Sequence, residues 1–146
     1  MTTPHLKKIT DWYANLSPLS LKEIHVHYFE DAKFKDPFND VQGVDAIKAI
    51  FDHMFASTQY PKFIFDEVIE QGPKAFLTWE FHFGLQSKSY IIKGGTMLTF
   101  NDQGLVTDHR DYWDAAEELW EKLPFIGGLV AWLRRRFRVV HKSIRQ

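Results

Sequence analysis

Apolar positions recur at helical spacing in the first third of the chain and alternate through the middle. Leu6, Ile9, Tyr13 and Leu16 mark one face of a first helix, which Ser17-Pro18 ends. Ser20-Leu21-Lys22-Glu23 has the Ser-x-x-Glu form of a capping box, in which serine bonds the third amide and glutamate reaches back. It opens a second helix with Leu21, Ile24 and Tyr28 on one stripe, ending before Phe34. Lys33 to Pro37 reads as extended, because Pro37 pushes Asp36 out of the α region. A third helix starts near Gly43, with Val44, Ile47, Phe51 and Met54 on one face and Lys48, Asp52 and His53 elsewhere.

Strand patterns follow. Pro61 to Gln71 is rich in β-formers, and Gly72-Pro73 marks a turn. From Lys74 to Phe83, Ala75, Leu77, Trp79, Phe81 and Phe83 share one parity, and Phe76, Thr78, Glu80 and His82 the other. Ser89 to Phe100 is a long strand in which Gly94-Gly95 predicts a bulge or bend. Asn101-Asp102-Gln103-Gly104 is a hairpin turn, and Leu105 to Trp113 returns antiparallel. Asp114, with Glu117 three residues on, opens another helix, and Pro124 and Gly127-Gly128 separate it from a last one ending near Val140. Helices and strands are segregated along the chain. That predicts an α+β fold with helices covering one face of an antiparallel sheet.

The 146 residues suit one domain, here a body over 1–124 with a C-terminal extension over 125–146. Aromatics reach 16%, so either the core is ring-rich or rings line a cavity. Cysteine is absent, which removes disulfides, thiol nucleophiles and thiolate metal sites. Basic and acidic residues nearly cancel, at 18 and 19, giving no overall reason to expect nucleic acid as a partner. The charge is unevenly spread. From Arg134 onward there are six cations and no acid, which leaves the body at −7. With no signal-peptide core and no span-length apolar run, the expectation is a soluble cytoplasmic protein.

Two segments carry candidate chemistry. Asp36 sits in Phe34-Lys35-Asp36-Pro37-Phe38; desolvated among rings, its pKa would rise toward neutrality, as suits a general base. The same residue also reads as a turn aspartate before proline, the commoner arrangement. On a strand, His109, Asp111 and Trp113 share a face, and a carboxylate beside an imidazole orients the ring as an acid/base partner. A polar strand end with salt bridges is the competing reading. His25 and His27 point apart and cannot chelate one metal, and no metal-binding, Walker or Rossmann motif is present. Ile126, Leu129, Val130, Leu133, Phe137 and Val140 form an apolar stripe opposite arginines, the layout of a basic amphipathic helix. Docking on the acidic body or a second subunit is expected ahead of membrane contact.

From Leu6 to Asp114 this layout resembles the nuclear transport factor 2-like superfamily, in its SnoaL-like and ketosteroid-isomerase-like branch. The resemblance rests on the paired N-terminal helices, Lys35-Asp36-Pro37, the Gly43 helix, Gly104-Leu105-Val106 and Tyr112-Trp113-Asp114. It implies a cone-shaped curved sheet wrapped around helices, enclosing a deep apolar cavity, and a homodimer through the outer sheet face. It places Asp36 at the catalytic base and Tyr13 near the oxyanion-donating tyrosine of the isomerases. Thr96 stands where those enzymes keep a protonated aspartate, and His109 and Asp111 fall at positions apolar there, two departures from steroid isomerisation.

These readings give an isomerase- or cyclase-type enzyme without a metal or other cofactor, acting on a small apolar carbonyl compound. Its catalytic residues would be Asp36, Tyr13, His109 and Asp111, with Trp79, Phe81, Thr96, Trp113 and Tyr28 binding the substrate. The alternatives are a noncatalytic ligand-binding or dimerisation module, and a protein that meets a membrane or polyanion through its tail. The scaffold alone does not separate them.

Overall fold

The computed structural model describes residues 2–114 and 135–136. The helices expected after Asp114, and with them the domain extension, lie outside the described residues, apart from Arg135 and Arg136, which are helical and exposed. Helix α1 spans Pro4–Ala14 and a 3-10 helix Ser20–Val26; helix α2 spans Val44–Ser57. The strands are β1 Tyr28–Lys35, β2 Asp40–Gln42, β3 Gln59–Gln71, β4 Lys74–Leu85, β5 Lys88–Phe100 and β6 Val106–Tyr112. They form one six-stranded sheet in the order β2-β1-β6-β5-β4-β3. The α+β class is as the sequence predicts, but the sheet is mixed: β1 and β6 run parallel, with Phe34 beside His109. The long β1-to-β6 connection supplies the crossover that parallel pairing requires.

Local chemistry explains each element. Pro4 stands in the first turn of α1, where its missing N–H costs nothing, and Leu6, Ile9, Trp12 and Tyr13 face inward. The predicted capping box does not form. Instead Ser17 N–H donates to Ser20 Oγ at 2.9 Å and Ser20 N–H to Ser17 Oγ at 3.0 Å, a reciprocal serine pair. The second helix is also shorter than predicted, because Tyr28 opens β1. Tyr28, Ala32 and Phe34 share the inward parity of β1, with Glu30 exposed at the irregularity between Tyr28 and Lys33, and Tyr28 also falls at helical spacing from Leu21 and Ile24. Gly43 precedes α2 with a φ of 103°, a conformation disfavoured for residues with a Cβ.

Bulges between Gln59 and Lys62 and between Phe65 and Val68 bend β3, and at the second one Glu67 N–H donates to Thr78 Oγ1 at 2.9 Å. The sheet curves around the helices, with α1 against β3 and α2 against β1, β2 and β3. Leu6, Ile9, Leu21, Ile24, Ile47, Leu77, Leu98 and Val106 are fully buried between them. Burial of such aliphatic side chains stabilises by about 1.5–3 kcal/mol each. A second cluster, Trp79, Phe81, Phe83 and Ile92, lies farther along the sheet.

Gly94-Gly95 does not make the predicted bulge: the β4–β5 ladder runs unbroken from Lys74–Thr99 to Leu85–Lys88. Both glycines make room for rings. A Cβ on Gly94 would stand 2.6 Å from the Trp79 indole, and one on Gly95 2.5 Å from the Phe76 ring. Among the described residues, no helix is long and apolar enough to cross a membrane.

Candidate functional site

The sheet's inner face and α2 enclose two adjoining chambers. The outer one, about 100 Å³, is walled by Phe38, Phe63, Trp79, Phe81 and Trp113 and holds Asp36, His53 and Asp111. The inner one, about 30 Å³, is bounded by Tyr13, Phe65, Leu77, Thr96 and His109. Asp111, Trp79, Phe51 and Phe63 belong to both. The rings interlock: Phe63 stacks on Phe81 with centroids 4.7 Å apart, Trp79 meets Phe63 edge-on at 5.6 Å, and Phe38 meets Trp113 at 5.5 Å. The even-odd parity of β4 thus puts Trp79, Phe81 and Phe83 inside, while Glu80 and His82 pair with each other on the outer face at 3.3 Å.

One hydrogen-bonded line crosses the floor of the chambers. Trp79 Nε1–H donates to Thr96 Oγ1 at 2.8 Å, and Thr96 O–H donates to Asp111 Oδ1 at 2.6 Å. Asp111 Oδ1 also meets His109 Nε2 at 2.7 Å. On the other side of the imidazole, Nδ1 lies 2.6 Å from the Tyr28 hydroxyl and 3.3 Å from that of Tyr13, and the two hydroxyls bond to each other. An indole only gives a proton and a carboxylate only accepts one, so the direction from Trp79 to Asp111 is fixed. A carboxylate at Oδ1 holds the Nε2 proton of His109, so in the neutral ring Nδ1 accepts from Tyr28. Burial pushes both tyrosine hydroxyls well above the ordinary phenol pKa, keeping them protonated.

Asp36 combines the two roles that its sequence left open. Its Oδ1 accepts the N–H groups of Phe38 at 2.8 Å and Asn39 at 2.6 Å, closing the turn before β2. Asn39 Nδ2 reaches both carboxylate oxygens, at 3.2 and 3.3 Å. These donors favour the charged form, yet burial and the nearby charge of Asp111 outweigh them and raise the pKa from 3.8 to about 6.

The structure brings Asp36, Asp111, Trp79, Phe81 and Trp113 together in the outer chamber, and Tyr13, Thr96 and His109 around the inner one. Tyr28 is the exception. It lines neither chamber and stands behind His109, with its ring stacked on the imidazole at 6.0 Å. Thr96 gives its only proton to Asp111, so its hydroxyl has none left for a ligand oxygen. His53, which the sequence pattern sets apart from the apolar face of α2, lines the outer chamber. Its Nε2 is buried with no hydrogen-bond partner among the described residues. Burial, with a smaller push from the charge of Arg136, lowers its pKa and keeps the ring neutral. Its position three residues after Ile50, which also lines the chamber, was the available signal. Among the described residues, no three His, Asp or Glu side chains group as metal ligands.

Comparison with known proteins agrees with this architecture. Similar solved structures include a nuclear transport factor 2-like protein of unknown function from Burkholderia pseudomallei, at 18% identity and a TM-score of 0.69, covering 80% of this chain and 95% of that one. A putative SnoaL-like polyketide cyclase from Jannaschia is similar at 10% identity and a TM-score of 0.69, over 80% and 92% of the two chains. A Mycobacterium tuberculosis epoxide hydrolase described as LEH-like is similar at 14% and 0.69, over 88% and 94%. At these identities the likeness is one of fold. No curated protein matches the chain. The family model of the SnoaL-like domain, however, matches residues 9–109, and with that match the chain belongs to the SnoaL-like domain family.

Proposed function

We propose that this SnoaL-like domain binds a small, largely apolar carbonyl compound in the ring-lined chamber and moves a proton on it, with Asp36 as general base. The observation that carries this reading is a half-buried carboxylate, its pKa raised to about 6, facing an aromatic cavity beside a second acid/base group. Such a base is ionised at neutral pH yet basic enough to accept a proton from carbon next to a carbonyl. The negative charge then developing on the carbonyl oxygen needs a donor. With Tyr28 donating to His109, Tyr13 gives its proton to Tyr28, so an oxygen seated in the inner chamber would take the Tyr13 hydroxyl proton in place of Tyr28, while Thr96 and Trp79 hold Asp111 in place. Asp36, protonated by that step, gives the same proton back to another position of the compound and ends the cycle ionised as it began, with the His109–Asp111 pair beside the transfer. Two relatives of the same fold carry enzyme descriptions, the putative cyclase and the epoxide hydrolase, in keeping with a catalytic use of the cavity.

A pH–rate profile on any compound that is turned over tests the reading. It expects an ionisation near 6 on the acid limb of kcat/KM, absent from Asp36→Asn together with most of the rate. Full activity in that variant removes the proposal.

A second reading, a noncatalytic binding module, is favoured by the turn that Asp36 closes through Phe38 and Asn39. On either reading we propose a homodimer through the outer sheet face. That face exposes Ile64, Ile69, Ile91 and Tyr112, an apolar surface of the kind that marks contact sites.

A further inference from the structure

The outer chamber sets two carboxylates, Asp36 and Asp111, among Phe38, Phe63, Trp79, Phe81 and Trp113, and among the described residues none that lines it is lysine or arginine. Buried charges are ordinarily met by an opposite charge. Among the described residues, Asp36 is met by neutral donors, the amides of Phe38 and Asn39 and the Asn39 side chain. Asp111 spends Oδ1 on Thr96 and His109, and its Oδ2 has no partner among the described residues. The third polar group, His53 Nε2, is likewise unpartnered, and Arg136, the cation that acts on it, is not part of the lining. An electron-rich ring box with negative charge on its floor is the arrangement that attracts an organic cation, through ring faces and carboxylates together. Size points the same way. A cavity of about 150 Å³ accepts benzene, and the outer chamber, at about 100 Å³, suits a compact head group.

We infer that the outer chamber binds a small alkylammonium group, held between Asp36 and Asp111 and enclosed by the aromatic rings. This rests on reading the chambers as the ligand site and deepens it by naming the charge that the ligand carries. A ligand with such a head would place its uncharged end toward the inner chamber, whose about 30 Å³ admits a single oxygen-sized group.

Isothermal titration of the full chain at pH 8 compares tetramethylammonium chloride with tert-butyl alcohol, a neutral probe of nearly the same shape. Sodium chloride serves as the ionic-strength blank. The inference expects the cation to bind at least about tenfold more tightly than the alcohol, the scale of a desolvated cation–ring contact. Asp36→Asn and Asp111→Asn should each lose most of that preference, with circular dichroism confirming that the variants are folded. Equal binding of the alcohol, or no binding of the cation, overturns the inference from the unaltered protein alone, whatever the variants do. The catalytic reading fails separately. If the cation binds while Asp36→Asn keeps full turnover, the base assignment falls and the ammonium site stands. If turnover needs Asp36 but the cation does not bind, only the ammonium site falls.

Discussion

Trp79 and Gly94 face each other across β4 and β5, and the indole lies over the glycine so closely that a methyl group there would stand 2.6 Å from the ring. The empty space at Gly94 lets the indole lie flat toward Thr96 and donate the first hydrogen bond of the line that ends on Asp111. Gly94→Ala should therefore displace Trp79 and cost about 1–3 kcal/mol of stability, the range for overpacking a core. Urea unfolding followed by tryptophan fluorescence measures it, and an unchanged midpoint would contradict the packing described.

Thr96 is a second point of leverage. Thr96→Val keeps the shape but leaves the Trp79 N–H and Asp111 Oδ1 each short of a partner, at a cost of about 1–3 kcal/mol. Thr96→Ser restores the hydroxyl and should recover most of the loss. Equal melting temperatures for the valine and serine variants would show that the line contributes nothing to stability.

Asp36 ties function to stability. Its pKa lies higher in the folded chain than the unfolded value of 3.8, so the folded state holds a proton that the unfolded state releases. The favourable contribution is complete below pH 3.8 and lost as pH rises through about 6. Asparagine cannot ionise, yet it keeps a carbonyl oxygen to accept from Phe38 and Asn39. The stability of Asp36→Asn relative to the parent should therefore grow by about 2 kcal/mol between pH 4 and pH 8. Denaturant titrations of both proteins at the two pH values provide the comparison, and a difference that does not change with pH would mean that Asp36 is solvated.

The outer face gives a test of assembly. Ile64→Lys combined with Ile69→Lys places charge on side chains that are 43% and 59% exposed, away from both chambers. Sedimentation velocity should show a dimer for the parent and a monomer for the variant, with an unchanged circular dichroism spectrum. A monomeric parent would remove the proposed interface.

Much of this was legible in the sequence because it rests on local periodicity. The alternation from Ala75 to Phe83 gives the inner face of β4 directly, and Val44, Ile47 and Phe51 give the buried face of α2. The misreading of Tyr28 has a physical cause. The first inward residue of β1 stands four positions after Ile24, and with the next inward position, Glu30, polar and exposed, it imitates a further turn of the preceding helix. The parallel seam of β1 and β6 joins segments with no mutual signal along the chain, so a fully antiparallel sheet was the natural expectation. His53 was hidden by its polarity: on a helix lining a hollow, a histidine beside the apolar stripe faces inward as readily as outward.

The same seam determines when the polar line can exist. Phe34 and His109 become neighbours only when the strand at the start of the sheet is laid against the strand at its far end in sequence, closing a very long loop. Until that closure His109 has neither Tyr28 nor Phe34 beside it, and the part of the line from Trp79 through Thr96 to Asp111, held within β4, β5 and β6, lacks its far end. A chain interrupted before β6 lacks Val106 from the core and His109 and Asp111 from the chambers, so it has no complete pocket. Ligand binding would then appear late in refolding and report on completion of the whole sheet.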